Sequence, residues 1–454
     1  MRLRNLYFIT LLAASSSFSA SVFANADAGS PVGFDNLLAQ GRAAFLASDL
    51  EQAESAYNQA CPADLVSSYP VAGAVTCENA LASVDEARGN LVRAEQRYVH
   101  AASTAEQAGP AYLPLYCAKL IDLGEHYHRQ GRAADAEASL SKAVELARRI
   151  TAAKPELLPE ALIRLGGLYA DSAQPERGRA LLEEALAGPA AISDTETAYA
   201  YSCLGMIELA AGRERESEAN LRESVALATK TLGEDHPVVA AYQTNLALAL
   251  LTARQFDRAG LLLRRAAFIV ESRQGRTAPE LAAICAELSA VAIADGKMAE
   301  AEQYAQRAIS ILSLQAVPNT RALVASQVTL AAIYLRAHNT AETEKMLPAA
   351  VETQRQTAVN PLTLAASIRL LGELRAQQRN WHAAETLFRE AIGIYESRAS
   401  AAVDPAVAPV LRALADAIKR QGGSKEEVRE LEARARDLLR SAPHSPVSQD
   451  IPRA

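Results

Sequence analysis

Aromatic residues are scarce: one Trp, eight Phe and 14 Tyr make up 5% of 454 residues. Stacking platforms for single-stranded nucleic acid set Phe, Tyr or Trp beside basic residues, and this chain is poorly supplied for one. Positive charge is also short. Lys and Arg number 46 against 53 Asp and Glu, giving a net charge of −7 with no long basic run, which argues against binding a phosphate backbone. Phosphate-cradling glycine loops, paired metal-binding histidines, nucleophile elbows and Cys pairs at two-residue spacing are missing. No cofactor is indicated, and no catalytic or metal-ligating residue is assigned. Long apolar runs are missing beyond the N-terminus, so no later stretch reaches the roughly 20 residues of a membrane-spanning helix.

What is present is a chain whose apolar half is carried by Ala and Leu, mixed with Glu and Arg. These are strong helix formers, and the β-branched and aromatic residues that strands favour are thin. Composition therefore points to an all-α protein and away from a sandwich or barrel.

The first residues read as an address. Arg2 and Arg4 precede an apolar stretch from Leu6 to Ala14, and a small-residue run ends in Val22-Phe23-Ala24. That is the pattern of a secretory signal peptide covering residues 1–24, with Ala26 marking a second cleavage site. Losing Arg2 and Arg4 takes the net charge from −7 to −9, which disfavours an anionic membrane surface as target. Residues 25–32 read as a flexible linker.

Beyond the linker one pattern repeats. A small residue recurs at Ala53, Ala94, Ala136, Gly178, Ser217, Ala259, Ala301, Thr343 and Ala384, at intervals of 39 to 42 residues, and then Val428 stands in its place after an inserted residue. Seven residues after each anchor comes another: Ala60, Ala101, Ala143, Ala185, Ser224, Ala266, Ala308, Ala350, Ala391 and Ala435. Twelve before each stand Gly41, Ala82, Gly124, Gly166, Gly205, Ala247, Ser289, Ala331 and Gly372, failing only at Asp416. Between anchors the apolar spacing is helical, and Gly89, Gly131, Gly212, Gly296 and Gly422 mark tight turns. Each unit reads as a helical hairpin, and a period in this range marks a solenoid.

The lattice resembles the tetratricopeptide repeat (TPR) family in the 42-residue form of kinesin light chains, over residues 33–440. The junction Leu232-Gly233-Glu234-Asp235-His236-Pro237 and the helix after it are similar to that subfamily, making His236 a loop or cap residue. The Trp common near the start of the family's first helix is absent, and Trp381 sits at a hairpin turn instead. The resemblance implies a right-handed superhelical solenoid of about ten hairpins. The last hairpin, with Gly422-Gly423-Ser424 and a charged second helix, reads as an irregular polar cap. Residues 441–454 read as a disordered tail.

Other features weigh less. Ser139 and Lys142 have the Ser-x-x-Lys spacing of a penicillin-recognising site, but the companion motifs are missing. His126 and His128 fall on different faces of a helix and read as solvated or capping residues. Of five cysteines, Cys61 closes the second helix of one hairpin and Cys77 opens the first helix of the next, so a disulfide between them is expected. The competing reading is that all five are buried small hydrophobes.

In the TPR family the first helix of each hairpin lines the concave surface. By that register Tyr199, Ser202, Met206 and Leu209, then Thr244, Leu248 and Leu251, then Ala286, Ala290 and Ile293, then Val328, Ala332 and Leu335 form an apolar inner wall. Asp122, Glu125, Arg129, Glu160, Arg164 and Asp171 form a mixed-charge wall before it. Asn245 alone matches the Lys and Asn set that clamps a C-terminal carboxylate in some family members. The competing reading of the apolar residues is packing between hairpins. The whole predicts a non-enzymatic scaffold of the bacterial cell envelope, periplasmic or secreted, binding a protein or peptide partner in its groove, with no nucleic acid and no membrane insertion. Self-association into a homo-oligomer is the alternative, and an enzyme with an unrecognised site is a more distant one.

Overall fold

The computed structural model describes residues 33–46, 49–62, 69–172, 174–190, 192–315, 319–357, 360–398 and 407–441. The leader, the linker and the tail after residue 441 lie outside them. The described residues form twenty α-helices and one 3-10 turn. They divide into two compact units, residues up to Arg276 and residues from Thr277.

The first unit holds six hairpins, α1 to α12: Phe34–Leu46 with Leu50–Ala60, Val71–Ala87 with Leu91–Gln107, Leu113–Arg129 with Ala133–Ile150, Leu157–Ala170 with Pro175–Ala187, Asp194–Ala210 with Glu214–Leu232, and Pro237–Thr252 with Phe256–Gln274. The second holds four, α13 to α20: Pro279–Ala294 with Met298–Ser313, Thr320–Arg336 with Thr340–Gln356, Pro361–Gln377 with Trp381–Arg398, and Val407–Arg420 with Lys425–Ser441. Within each unit, the second helix of a hairpin packs on the first helix of the next. First helices also touch: α5 with α7, α7 with α9, α9 with α11, and in the second unit α15 with α17 and α17 with α19. That contact gathers first-helix side chains on one face.

The small-residue lattice is what lets the helices close. The anchors from Ala53 to Ala384 are buried, and so are all ten residues seven positions later. Val428 is part-exposed and Asp416 exposed, so the lattice loosens in the last hairpin. Where that first-helix residue is glycine it receives a large side chain from four positions after the anchor, Tyr57 on Gly41, Leu140 on Gly124, Leu182 on Gly166, Leu221 on Gly205 and Phe388 on Gly372. A methyl added at Gly124 would lie 2.5 Å from Leu140 Cγ, one at Gly205 2.5 Å from Leu221 Cγ, and one at Gly372 2.6 Å from Phe388 Cε1. In the fourth hairpin both partners are glycine, and a methyl at Gly178 would meet the Gly166 carbonyl oxygen at 2.7 Å.

Among the described residues, eight hairpin turns follow one design. Gly131 takes φ +72° and donates its N–H to the His128 carbonyl at 2.9 Å, while Arg132 N–H reaches the Tyr127 carbonyl at 2.9 Å. Gly89, Gly212, Gly296 and Gly422 are left-handed too. At the same register Arg254, His338 and Arg379 adopt φ of 56–60°, a conformation that costs a residue with a Cβ about 1–2 kcal/mol. Some starts are capped by side chains, as where Asn319 accepts from Ala322 N–H at 3.1 Å.

Candidate partner-binding face

The first-helix face of the first unit is built around buried charge. Arg164 on α7 is 3% exposed. Its guanidinium pairs with Glu125 of α5, reaches Glu196 Oε1 of α9 at 2.5 Å, and lies 4.9 Å from the Tyr199 ring centre. Glu86 of α3 accepts from Arg129 of α5 at 2.5 Å and pairs with His126 Nδ1 at 2.8 Å. Lys119 and Asp122 pair at 2.6 Å. The ion network thus links α3, α5, α7 and α9. Pairing of this kind holds only while each charge keeps its partner, because an uncompensated buried charge is costly.

These surroundings set protonation. Burial alone would raise the Glu86 carboxyl, but the hydrogen bond with His126 and the charge and hydrogen bond of Arg129 prevail and hold it at about 2. Glu160, part-buried on α7, is pushed up to about 8 by burial and then by the neighbouring Glu196 carboxylate, against the pull of Arg164. Burial raises Glu125 as well, against Arg164 and Arg129. Acid outweighs base here.

The histidines differ from the sequence expectation. His126 is fully buried and His128 is part-buried, bonding Asp171 at 3.0 Å. Neither is a solvated or capping residue. They do point apart, one toward the hairpin before and one toward the hairpin after, and sequence spacing had no means of showing the acids that wait there. His236 caps α11, its Nδ1 accepting from Val238 N–H at 3.2 Å. Lys142 pairs with Glu106 at 3.0 Å. The Sγ atoms of Cys61 and Cys77 are bonded, 2.03 Å apart, tying α2 to α3. Cys117 and Cys285 are buried thiols and Cys203 is a part-buried one.

The apolar inner-wall residues divide in two. Tyr199, Leu209, Ala290, Ile293 and Val328 are part-exposed, with Ala286 and Ala332. Ser202, Met206, Thr244, Leu248, Leu251 and Leu335 are buried within the stack. Asn245 spends its amide on Ser202 Oγ at 3.0 Å, and Thr244 bonds the Ala240 carbonyl at 2.9 Å. In α11, thirteen of sixteen residues are buried, and a helix apolar all round gives periodicity no way to tell a groove side from a packed side. Sequence reasoning also missed Glu287, the one charge between Leu281 and Ala294, buried on α13. Its isolation in an apolar run was the available signal. Among the described residues no three His, Cys, Asp or Glu side chains are grouped to hold a metal ion, and no helix is long and apolar enough to cross a membrane.

Residues 196–272, the fifth and sixth hairpins, match the tetratricopeptide repeat family model. No curated protein sequence matches the chain. Among solved structures, apo RapI is similar with a TM-score of 0.50 and 12% identity, over 72% of this chain and 99% of that one. The Pyrococcus horikoshii signal transduction ATPase with a tetratricopeptide repeat sensor is similar with a TM-score of 0.50 and 14% identity, over 77% of this chain and 53% of that one. BtubC (BKLC) from P. vanneervenii shares 22% identity over 47% of this chain and 87% of its own, with a TM-score of 0.42. Residues 196–272 carry the tetratricopeptide-repeat signature, and the described residues of both units have the all-α helical-hairpin fold of tetratricopeptide-repeat solenoids.

Proposed function

We propose that the protein is a non-enzymatic interaction scaffold that takes a peptide or amphipathic helix from a protein partner against its first-helix faces. One observation carries this reading. Ala283, Ala286, Ala290 and Ile293 of α13 stay part-exposed at helical spacing, and Ala325, Val328 and Ala332 do so on α15. Short apolar side chains presented in line suit an extended or helical segment. The first-helix face of the first unit presents an acid-rich network of its own. Affinity capture with Ile293→Glu and Val328→Glu tests the proposal, with outward-facing Leu261→Glu as control and circular dichroism to verify folding. Loss of a partner in the first two alone is expected. Retention in both contradicts the assignment.

Location in the bacterial cell envelope, periplasmic or secreted, belongs to the same proposal. The leader-like residues 1–24 and the bonded Cys61 and Cys77 support it, since disulfides persist in oxidising compartments. N-terminal sequencing of the native protein tests it, with a start at Asn25 expected and a start at Met1 against it. Self-association is a second reading, favoured by Leu261 and Phe268, which stand 64% and 60% exposed two turns apart on α12. A mass that rises with concentration would support it.

A further inference from the structure

Glu287 is the anomaly of the second unit. It is 2% exposed, its Oε2 has no hydrogen-bond partner, and no ion pair reaches it among the described residues. A carboxylate taken from water without a cation or donor is among the costliest groups a protein can bury. Burial is the one influence on its carboxyl, raising it to about 7 with no nearby charge contributing.

Its place on α13 says where a partner charge would come from. At 100° per residue, Glu287 lies opposite Ser289, whose hydroxyl donates to the Ala301 carbonyl at 2.9 Å and marks the side packed on α14. One turn to either side of Glu287, and two turns on, stand Ala283, Ala290 and Ala294, the first two part-exposed and the last exposed. Glu280, two turns earlier on the same face, is part-exposed too. The buried carboxyl therefore belongs to the face that alanine methyls keep shallow.

We infer that Glu287 is the seat for one cationic side chain, lysine or arginine, of a peptide lying along the alanine line of α13. This rests on the scaffold reading above and adds the chemistry that selects the ligand. Low alanine side chains let an incoming backbone approach closely enough for a long aliphatic stem to carry its charge down to the carboxylate. The pair then forms where water is excluded, and Glu287 becomes ionised as the ligand binds.

The test is a random peptide display selection on the full purified chain, run in parallel on wild type and Glu287→Gln. Peptides enriched on wild type are expected to share Lys or Arg at one position, and that preference is expected to vanish on Glu287→Gln. A selected peptide should weaken at least tenfold toward the variant, and its Lys→Met analogue should bind both proteins alike. If the variant folds poorly, the Lys→Met peptide against wild type decides alone, with undiminished binding overturning the inference. Enriched peptides that keep the same basic position on Glu287→Gln overturn the role of Glu287 while leaving the scaffold reading intact. No enriched peptide on either protein overturns the groove itself, and this inference with it.

Discussion

Gly178 and Gly393 are both helical glycines, and replacing each with alanine sets intrinsic helix preference against contact. Preference favours alanine by about 1 kcal/mol at either site. At Gly393, exposed on α18, an added methyl meets nothing within 4 Å, so Gly393→Ala should stabilise by about that amount. At Gly178 the methyl would sit 2.7 Å from the Gly166 carbonyl oxygen and 2.9 Å from the Ala170 nitrogen. Both are backbone atoms of α7 and cannot swing aside as a side chain would. Overpacking costs about 1–3 kcal/mol, and contact with backbone places this case at the upper end. Net destabilisation of about 2 kcal/mol follows, roughly a thirtyfold rise in the opening equilibrium. Because hairpins of a solenoid open locally, the assay is amide hydrogen exchange resolved by helix rather than a single melting temperature. Faster exchange should centre on α7 and α8. Unchanged or slower exchange there in Gly178→Ala would refute the argument that glycine is needed for helix closure.

Glu287→Gln should alter how the second unit responds to pH. Its folded carboxyl titrates at about 7 against an ordinary 4.5, so the neutral form contributes stability that is complete below about 4.5 and lost as pH rises through 7. The span amounts to about 3 kcal/mol, and urea unfolding of wild type and variant between pH 5 and 8 should converge at the acid end and separate at the basic end. Arg164→Met strips the cation from Glu125 and Glu196 and should cost about 3–5 kcal/mol, read as faster exchange in α5, α7 and α9 and partly restored by adding Glu125→Gln. Opening the Cys61–Cys77 bond, whose cysteines are 16 residues apart, should cost about 3 kcal/mol. Limited proteolysis of Cys61→Ser should then cut near α2 and α3 sooner than in wild type.

The architecture was legible because it is written in residue size. Gly124, Ala136 and Ala143 must be small where helices close, and the same demand recurs at every hairpin but the last, where Asp416 and Val428 stand in the lattice, so spacing alone locates the first nine helix pairs. Turn glycines were legible for a similar reason, whereas Arg254, His338 and Arg379 hide three equivalent turns because they adopt the left-handed conformation without the glycine that signals it. The face is another matter. Leu248 and Leu251 share the register of Ala290 and Ile293, yet they are buried where the others are part-exposed, because exposure depends on how closely neighbouring helices stack. The ion network escaped notice for a different reason. Glu86 lies 40 residues from His126 and 43 from Arg129, a separation that becomes contact only when hairpins are stacked.

The central claim is that the first-helix faces receive the partner. A photo-crosslinking residue placed at Leu209, Ile293 or Leu261 in the native host addresses it without knowledge of the partner. Crosslinked adducts from Leu209 or Ile293, with none from outward Leu261, are the predicted result. Adducts confined to Leu261 would contradict the account and move the binding surface to the outer face of α12.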